Sequence, residues 1–84
     1  MIDFDEAKDL ANLAKHGVSL TRASELEIEA RIRDTRRDYG EPRFLAFGRI
    51  DGQLYCLAYT VRAGQVRAIS LRRAHQKEYL RYVH

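Results

Sequence analysis

The sequence predicts an α+β domain with the element order ααββββα, in which helices pack on a four-stranded antiparallel sheet. One observation is the spacing of Gly40, Gly52 and Gly64, which lie twelve residues apart and separate segments of strand length. The other is helical periodicity near the N-terminus, together with a final segment that contains neither Gly nor Pro. With 84 residues, the chain has room for one domain, residues 1–84.

The N-terminal segment is predicted to form a helix. Asp3 is a suitable N-cap, and Glu6, three residues later, completes a capping box. Gly17 is expected to end the helix in a left-handed conformation. Apolar residues recur at helical spacing between these ends and predict one apolar face. They are Phe4, Ala7, Leu10, Ala11 and Ala14, flanked by Leu13.

A second, shorter helix is predicted from about residue 20 to residue 25, with Ser19 as its N-cap. The next segment is ambiguous, because its apolar residues alternate as in a strand while its charged residues form one helical stripe. We favour a helix that ends near Leu26, followed by a strand over residues 28–34.

Three further strands are predicted over residues 43–50, 53–61 and 65–71, which are rich in aromatic and branched side chains. Asp51-Gly52 is a strong hairpin signal, because both central residues of a type I′ turn have positive φ. The last segment, residues 73–83, contains neither Gly nor Pro and is predicted to be a helix.

Charge is distributed unevenly around a formal net charge of +3. Residues 1–42 carry a net charge of −3 and residues 43–84 a net charge of +6. Twelve of the fifteen cations are arginine, which suits bidentate contact with phosphate. This asymmetry indicates a polyanionic partner, most simply nucleic acid. The alternative is that the arginines only solvate the outside of a sheet.

Composition excludes several other classes. A single cysteine, Cys56, excludes an intrachain disulfide and a cysteine-based zinc site, and it is expected to be a small buried side chain. His16, His75 and His84 are too far apart to form a known metal motif, so no metal or cofactor is expected. His16 is expected to have a structural role at a helix C-terminus, where the dipole favours imidazolium. No apolar stretch could span a membrane, and we expect a cytoplasmic protein.

The basic half of the chain supplies the best candidate site. Arg62 and Arg72 lie at the ends of the third and fourth predicted strands. Because neighbouring antiparallel strands run in opposite directions, the two need not be direct cross-strand partners, but we expect both to border one groove. Strand alternation would place Val66, Ala68 and Ser70 on the same face as Arg72. Arginines around a groove neutralise phosphate and tyrosines stack on bases. Further residues expected to bind RNA are Arg43, Arg49, Arg67, Arg73, His75 and Lys77.

Short motifs along the chain resemble those of one protein family. Residues 12–19 read NLAKHGVS, residues 38–44 read DYGEPRF and residues 69–74 read ISLRRA. Gly48-Arg49 lies between them, and Glu78 and Tyr82 follow. Together, in this order and spacing, they resemble the BrnT toxins over essentially the whole chain.

The chain departs from the usual BrnT pattern at two places. The connection after the second helix is shorter and lacks an Asp-Pro turn, which affects the helix–strand boundary and the antitoxin surface. The usual ISAR motif reads Ile69-Ser70-Leu71-Arg72 here, which changes only an apolar side chain beside the arginine. Neither departure removes a charged residue from the candidate groove.

The resemblance implies a toxin of a bacterial type II toxin–antitoxin pair with a RelE-like fold. It also implies a BrnA-like antitoxin that neutralises the toxin, with operator DNA bound only through the antitoxin complex. The expected substrate is RNA, either free or on the ribosome, and the expected effect is inhibition of translation. A non-catalytic nucleic-acid binder and a protein-interaction module using the same basic face remain open as alternatives.

The implied reaction is metal-independent endoribonuclease cleavage, in which the 2′-hydroxyl attacks its own phosphate. Arg62 and Arg72 are the candidates for stabilising charge on the phosphorane, partly because RelE-like folds place basic residues at comparable strand ends. Glu41 or His75 is the candidate proton acceptor. Tyr79 is expected to orient the substrate or donate a proton.

Overall fold

The four strands form one antiparallel sheet in which each strand pairs with its neighbours in sequence. The computed structural model describes residues 2–83, so His84 lies outside the described residues. The strands are β1 (Glu27–Arg33), β2 (Phe44–Ile50), β3 (Gln53–Arg62) and β4 (Gln65–Arg73). The helices are α1 (Glu6–His16), a short 3₁₀ helix (Leu20–Glu25) and α2 (Gln76–Tyr82). The predicted α+β class and element order are confirmed.

The predicted hairpins are also confirmed, with a change at the end of β4. Asp51 and Gly52 have φ values of 51° and 77°, and Ala63 and Gly64 have the same pair of values, as type I′ turns require. However, β4 continues to Arg73, which was expected on the final helix. The strand is longer than predicted because it continues to pair with β3 as far as this residue.

The start of α1 differs from the prediction. Asp5, not Asp3, is the N-cap, and its carboxylate accepts hydrogen bonds from two backbone N–H groups of the first turn. Asp3 instead extends the sheet beside β4. Its N–H donates to the oxygen of Val66 at 2.9 Å, and its own oxygen accepts from Ala68 at 2.8 Å. The predicted capping box is therefore wrong, because pairing with a distant strand decides between two similar aspartates.

The connection between the first two helices follows the sequence prediction. Gly17 has a φ of 72° and donates its N–H to the oxygen of Leu13 at 2.9 Å, which closes the C-terminus of α1. The Ser19 hydroxyl then accepts a hydrogen bond from the N–H of Thr21 at 3.1 Å.

Apolar side chains pack on both faces of the sheet. One cluster joins the sheet to the 3₁₀ helix through residues such as Leu20, Leu57 and Leu71. The other lies under α2 and includes Phe47 and Cys56. Cys56 is buried as predicted, and burial raises the pKa of its thiol to about 11. Among residues 2–83, no helix has the length and apolar character needed to cross a membrane.

Helix α1 packs on the sheet through a polar residue. Asn12 is its one buried side chain among the described residues. The Asn12 amide donates to the oxygens of Val18 and Leu71, at 2.9 and 2.8 Å, and accepts from the Leu71 N–H at 3.0 Å. The predicted apolar face is largely exposed: Leu10 keeps 69% and Leu13 48% of its surface. Periodicity therefore predicts the helix correctly but not the face that packs.

A β-bulge changes which side chains of β4 share a face. Ser70 lies opposite Ala58, whereas Ala68 lies opposite Tyr59, so one residue of β4 is extra. Because the inserted residue inverts the alternation, Ala68 does not share a face with Arg72. The expectation of one continuous face along β4 is wrong for this reason.

A second irregularity, between Ile28 and Ala30 of β1, makes Gly48 sterically necessary. A Cβ at Gly48 would lie 2.1 Å from the backbone oxygen of Glu27. We expect Gly48→Ala to lower the free energy of unfolding by about 3 kcal/mol, because backbone must move to relieve the clash.

Gly64→Ala is the control for this prediction. A Cβ at Gly64 would have no neighbour within 4 Å, so only the backbone φ of 77° opposes the substitution. We expect this strain to lower the free energy of unfolding by about 1 kcal/mol. Urea unfolding followed by circular dichroism measures both losses. Equal losses would show that the close approach at Gly48 has no energetic effect.

Candidate active site

The two arginines predicted to share a groove lie at opposite ends of the sheet. Arg72 lies opposite Cys56, whereas Arg62 lies opposite Gln65. Cys56 precedes Arg62 by six residues in β3, which corresponds to roughly 20 Å along an extended strand. The predicted shared groove is therefore wrong. Both arginines are near the C-terminal ends of their strands, and neighbouring antiparallel strands end at opposite edges of a sheet.

At the end of the sheet away from Arg72, which we call the far end, the Arg62 side chain is held by the Glu41 carboxylate. Its Nε and one terminal nitrogen donate to Glu41 at 3.1 and 2.9 Å. These hydrogen bonds lower the pKa of Glu41, which makes that carboxylate a weaker proton acceptor. Arg67, on the neighbouring strand, donates to the carboxylate of Asp3 at 2.5 Å.

The loop between β1 and β2 contains an ionic and aromatic cluster. The Arg43 guanidinium lies over the Tyr39 ring, 4.1 Å from its centroid. The Tyr39 hydroxyl donates to Asp34 at 3.0 Å, and Arg36 donates to both oxygens of that carboxylate at 2.8 Å. The Arg36 guanidinium holds the pKa of Asp34 far below its usual range. The position of the Arg43 guanidinium is therefore set by its stacking on the Tyr39 ring.

At the opposite end of the sheet, which we call the near end, Arg72 forms a bidentate ion pair with Glu78 of α2. The two terminal guanidinium nitrogens donate to the two carboxylate oxygens at 2.8 and 2.9 Å. Both side chains keep 28% of their surface exposed. The hydrogen bonds lower the pKa of Glu78 and raise that of Arg72, so both groups stay charged. The pair fixes the guanidinium in one orientation while leaving part of it accessible.

The C-terminus of α1 adds two more basic side chains at the same place. Asn12 attaches the helix to β4, and Lys15 and His16 lie three and four residues further along, on the same side of the helix. They share an open depression with side chains from β4 and α2. The residues lining this depression are Lys15, His16, Arg72, Arg73, His75 and Glu78.

The surroundings of His16 favour the neutral form of its imidazole. Partial burial lowers the pKa of the imidazole, and the nearby charges of Lys15 and Arg72 lower it further. The dipole of α1, which favours imidazolium at this helix C-terminus, is therefore opposed by partial burial and by two cations. A neutral imidazole beside cations can accept a proton.

Most other predicted RNA-binding residues lie at this same end of the sheet. Arg73 donates to the side chain of Gln53 at 2.9 Å, and Arg49 is exposed at the end of β2. His75 precedes α2 without a side-chain capping bond, and Lys77 is exposed on that helix. Within residues 2–83, no group of three or more His, Cys, Asp or Glu side chains is arranged to hold a metal ion.

Tyr79 is not available to a substrate. Its side chain is 4% exposed, within the cluster under α2, and its hydroxyl is buried without a hydrogen-bond partner. The predicted role in orienting RNA or donating a proton requires contact with the substrate, which this burial prevents. The helical spacing of α2 places Tyr79 on its inner face.

If the chain cleaves RNA, as the resemblance implies, we expect Tyr79→Phe to leave the cleavage rate within about twofold of the wild type. It should also leave the free energy of unfolding unchanged or raise it by about 1 kcal/mol, because the lost hydroxyl is buried and unpaired. Tyr39→Phe is the control, since that hydroxyl has a partner and its loss should cost about 1 kcal/mol. Cleavage assays and urea unfolding measure both. A folded Tyr79→Phe protein without cleavage would restore the predicted role.

Lys15 was not among the predicted site residues, and for His16 a structural role was favoured over a catalytic one. The available signal was their spacing from Asn12, because residues three and four positions apart share a helical face. All three lie in the motif of residues 12–19 that carries the family resemblance. Only the docking of Asn12 on β4 shows that this face meets Arg72.

The fold and the site define a small α+β protein with a basic, histidine-containing site at one end of its sheet. A family model described as "Ribonuclease toxin, BrnT, of type II toxin-antitoxin system" matches residues 4–78. Because the match covers most of the chain, the protein belongs to the BrnT family of ribonuclease toxins. Membership of a type II system implies an antitoxin partner and an RNA substrate. A comparison with curated protein sequences found no significant match.

Proposed function

We propose that this toxin is a metal-independent endoribonuclease whose active site is the depression formed by Lys15, His16 and Arg72. The observation that carries this proposal is that the His16 imidazole, whose pKa is lowered, lines the same depression as the charged guanidinium of Arg72. RNA cleavage through the 2′-hydroxyl requires a proton acceptor and a cation for the phosphorane. These two side chains supply both.

In the proposed reaction, the His16 imidazole accepts the proton of the 2′-hydroxyl, and the 2′-oxygen attacks the adjacent phosphorus. The bond from phosphorus to the 5′-oxygen then breaks, and that oxygen takes a proton from the Lys15 ammonium or from water. The products are a 2′,3′-cyclic phosphate and a 5′-hydroxyl end. His16 then releases its proton to solvent, and Lys15, when it donates, recovers one from solvent.

Arg72 stabilises the additional negative charge of the phosphorane. A guanidinium has more N–H donors than the Glu78 carboxylate uses, so Arg72 can bind phosphate while the ion pair persists. Glu78 is a positioning residue, because it acts through Arg72. Arg49, Arg73 and Lys77 add positive charge at this end of the sheet that attracts the RNA backbone, and His75 adds a polar side chain.

In the cell, we propose that cleavage of RNA in the cytoplasm, either free or on the ribosome, inhibits translation. A BrnA-like antitoxin neutralises the toxin, and operator DNA is bound only through the antitoxin complex. Catalytic roles for Arg62 and Glu41 remain predictions. Their separation from Arg72 means that they would act in a different site, so the same experiment tests them.

The test is an RNA cleavage assay in the presence of EDTA, with detection of 2′,3′-cyclic phosphate ends. We expect the wild type to cleave, and His16→Gln to reduce the rate by about 100- to 1,000-fold. Arg62→Ala is the matched control and should change the rate by less than about threefold. Circular dichroism confirms that each variant is folded.

The pH profile provides a second readout. Because partial burial and two nearby cations lower the pKa of the His16 imidazole, the unprotonated base persists to lower pH than in a free histidine. The cleavage rate should fall when acidification protonates this imidazole, and this acid limb should be absent in His16→Gln.

Three outcomes would contradict the proposal. Loss of cleavage in Arg62→Ala but not in His16→Gln would move the active site to the far end of the sheet. Complete dependence on an added divalent ion would exclude the metal-independent reaction. RNA that stays intact with and without ribosomes would favour the non-catalytic binder.

A further inference from the structure

The outward side of α1 forms an exposed apolar strip. It is made of side chains at helical spacing over two turns, and we refer to it as the α1 strip. Leu10, at its centre, keeps 69% of its surface exposed, and the adjacent Leu13 keeps 48%. The members of the strip are Ala7, Leu10, Ala11, Leu13 and Ala14, all of which are exposed.

The orientation of α1 is the reverse of what amphipathicity favours. A surface helix normally buries its apolar face and exposes its polar face. Here the amide of Asn12 binds the edge of β4 at 2.8 and 3.0 Å and turns the polar side toward the sheet. Contiguous exposed apolar side chains with charged neighbours mark interaction surfaces. The α1 strip has such neighbours in Glu6 and Lys15.

We infer that the α1 strip is the surface on which the antitoxin docks. The occupant is an amphipathic segment of the antitoxin whose apolar side chains pack on Leu10 and Leu13. Its carboxylates extend to the depression at Lys15, His16 and Arg72. Inhibition then follows from contact continuous with the active site, because an anionic segment occupies the place of the RNA phosphate.

The position of the strip favours this occupant. The α1 strip and the two basic residues of the depression lie on one helix, and His16 is less than one turn beyond Leu13. The lining cations give the depression a positive charge that complements carboxylates. The type II class already requires a protein partner, and an apolar surface next to a cationic one matches a segment with both chemistries.

A second copy of the chain fits this surface less well. Each copy carries a net charge of +3, and self-association through α1 would bring two basic ends toward one another. The strip also extends only about 10 Å along the helix axis, from residue 7 to residue 14. A contact between two copies through this strip alone would be smaller than the roughly 800 Å² per partner of a standard interface, whereas the antitoxin segment also covers the depression.

The inference rests on the family assignment and on the proposed place of the active site. The test compares Leu10→Ser/Leu13→Ser with Leu80→Ser, an exposed leucine of α2 that keeps 58% of its surface. Titration calorimetry measures the affinity of each purified toxin for the antitoxin protein encoded beside it. Hydrogen exchange reports protection of residues 7–14, and size-exclusion chromatography with light scattering reports the state of the free toxin.

We expect the double variant to bind the antitoxin about 100-fold more weakly, because two buried apolar anchors are removed. Leu80→Ser should change the affinity by less than about threefold. Exchange of residues 7–14 should slow in the wild-type complex. RNA cleavage by the free double variant should equal that of the wild type, which shows that the active site is intact.

Equal antitoxin affinity for the wild type and the double variant would overturn the inference. A free wild-type dimer that becomes a monomer in the double variant would assign the strip to a second copy instead. A wild type that binds antitoxin through the strip but cleaves no RNA would refute the proposed ribonuclease site and leave the docking surface standing.

Discussion

Replacement of Asn12 by Ala is expected to lower the free energy of unfolding by about 3–4 kcal/mol. The Asn12 side chain is 4% exposed and makes three hydrogen bonds to the backbone. Alanine would leave the oxygens of Val18 and Leu71 and the N–H of Leu71 without these partners. Each unsatisfied buried group costs about 1–3 kcal/mol, partly recovered where water enters.

The effect should be concentrated in α1. Because the apolar side of this helix faces solvent, Asn12 is the main attachment of α1 to β4. Hydrogen exchange in residues 6–16 should accelerate more than exchange in β2 and β3. Cleavage should fall together with stability, since Lys15 and His16 depend on this attachment for their position beside Arg72.

Urea unfolding followed by circular dichroism measures the loss, with Lys8→Ala as the matched control. Lys8 lies on the same helix and is exposed, so its replacement should change the free energy of unfolding by less than about 0.5 kcal/mol. A change of this small size in Asn12→Ala would mean that the side chain does not hold α1.

Replacement of Arg72 by Ala is expected to reduce RNA cleavage by about 1,000-fold, the largest effect on activity. A single well-placed donor to a developing negative charge contributes about 3–4 kcal/mol to a transition state. Arg72→Lys keeps the charge but loses the planar bidentate geometry that Glu78 holds. We therefore expect the lysine variant to recover only part of the rate.

Arg62→Ala is the matched control, because Arg62 also forms a bidentate pair with a glutamate but at the other end of the sheet. Cleavage assays in EDTA and growth arrest on expression provide two readouts of activity. Loss of Arg72 also leaves Glu78 without its partner, so some destabilisation is expected. Arg72→Ala/Glu78→Ala removes that unpaired carboxylate and should remain inactive.

A folded Arg72→Ala protein that cleaves RNA at the wild-type rate would remove Arg72 from the reaction. If Arg62→Ala were the inactive variant, the far end of the sheet, with Glu41, would become the active site. If both variants stayed active, neither arginine would stabilise the transition state.

The secondary structure was predictable because its signals are local. Asp51-Gly52 favours positive φ at both residues and therefore a tight hairpin. In the segments on either side, apolar and polar residues alternate or the apolar residues are continuous. Gly17 and Ser19 mark the boundary between two helices in the same local way. The N-cap was predicted at the wrong aspartate because Asp3 and Asp5 are equally suitable as N-caps from sequence alone. Only the backbone pairing of Asp3 with β4 distinguishes them.

The candidate site was predictable in part. The sequence predicted Arg72 as a candidate site residue. It also placed Arg62 at the border of the same groove, although the two strands run in opposite directions, and the register of β3 and β4 separates the two arginines. It also used strict alternation along β4, which the bulge before Ser70 interrupts. A bulge of one residue has no clear local signal, yet it inverts the face of every side chain beyond it.

The sequence by itself determined the element order, the hairpins, the uneven charge and the family resemblance, since each depends on residues close together or on composition. Only the tertiary structure decided which side of α1 meets the sheet. The hydrogen bonds between the Asn12 amide and the Leu71 backbone join two residues that are 59 positions apart in the chain. They form only when the edge of β4 lies beside the helix. Periodicity contains no information about that contact, and the contact is what brings Lys15 and His16 to Arg72.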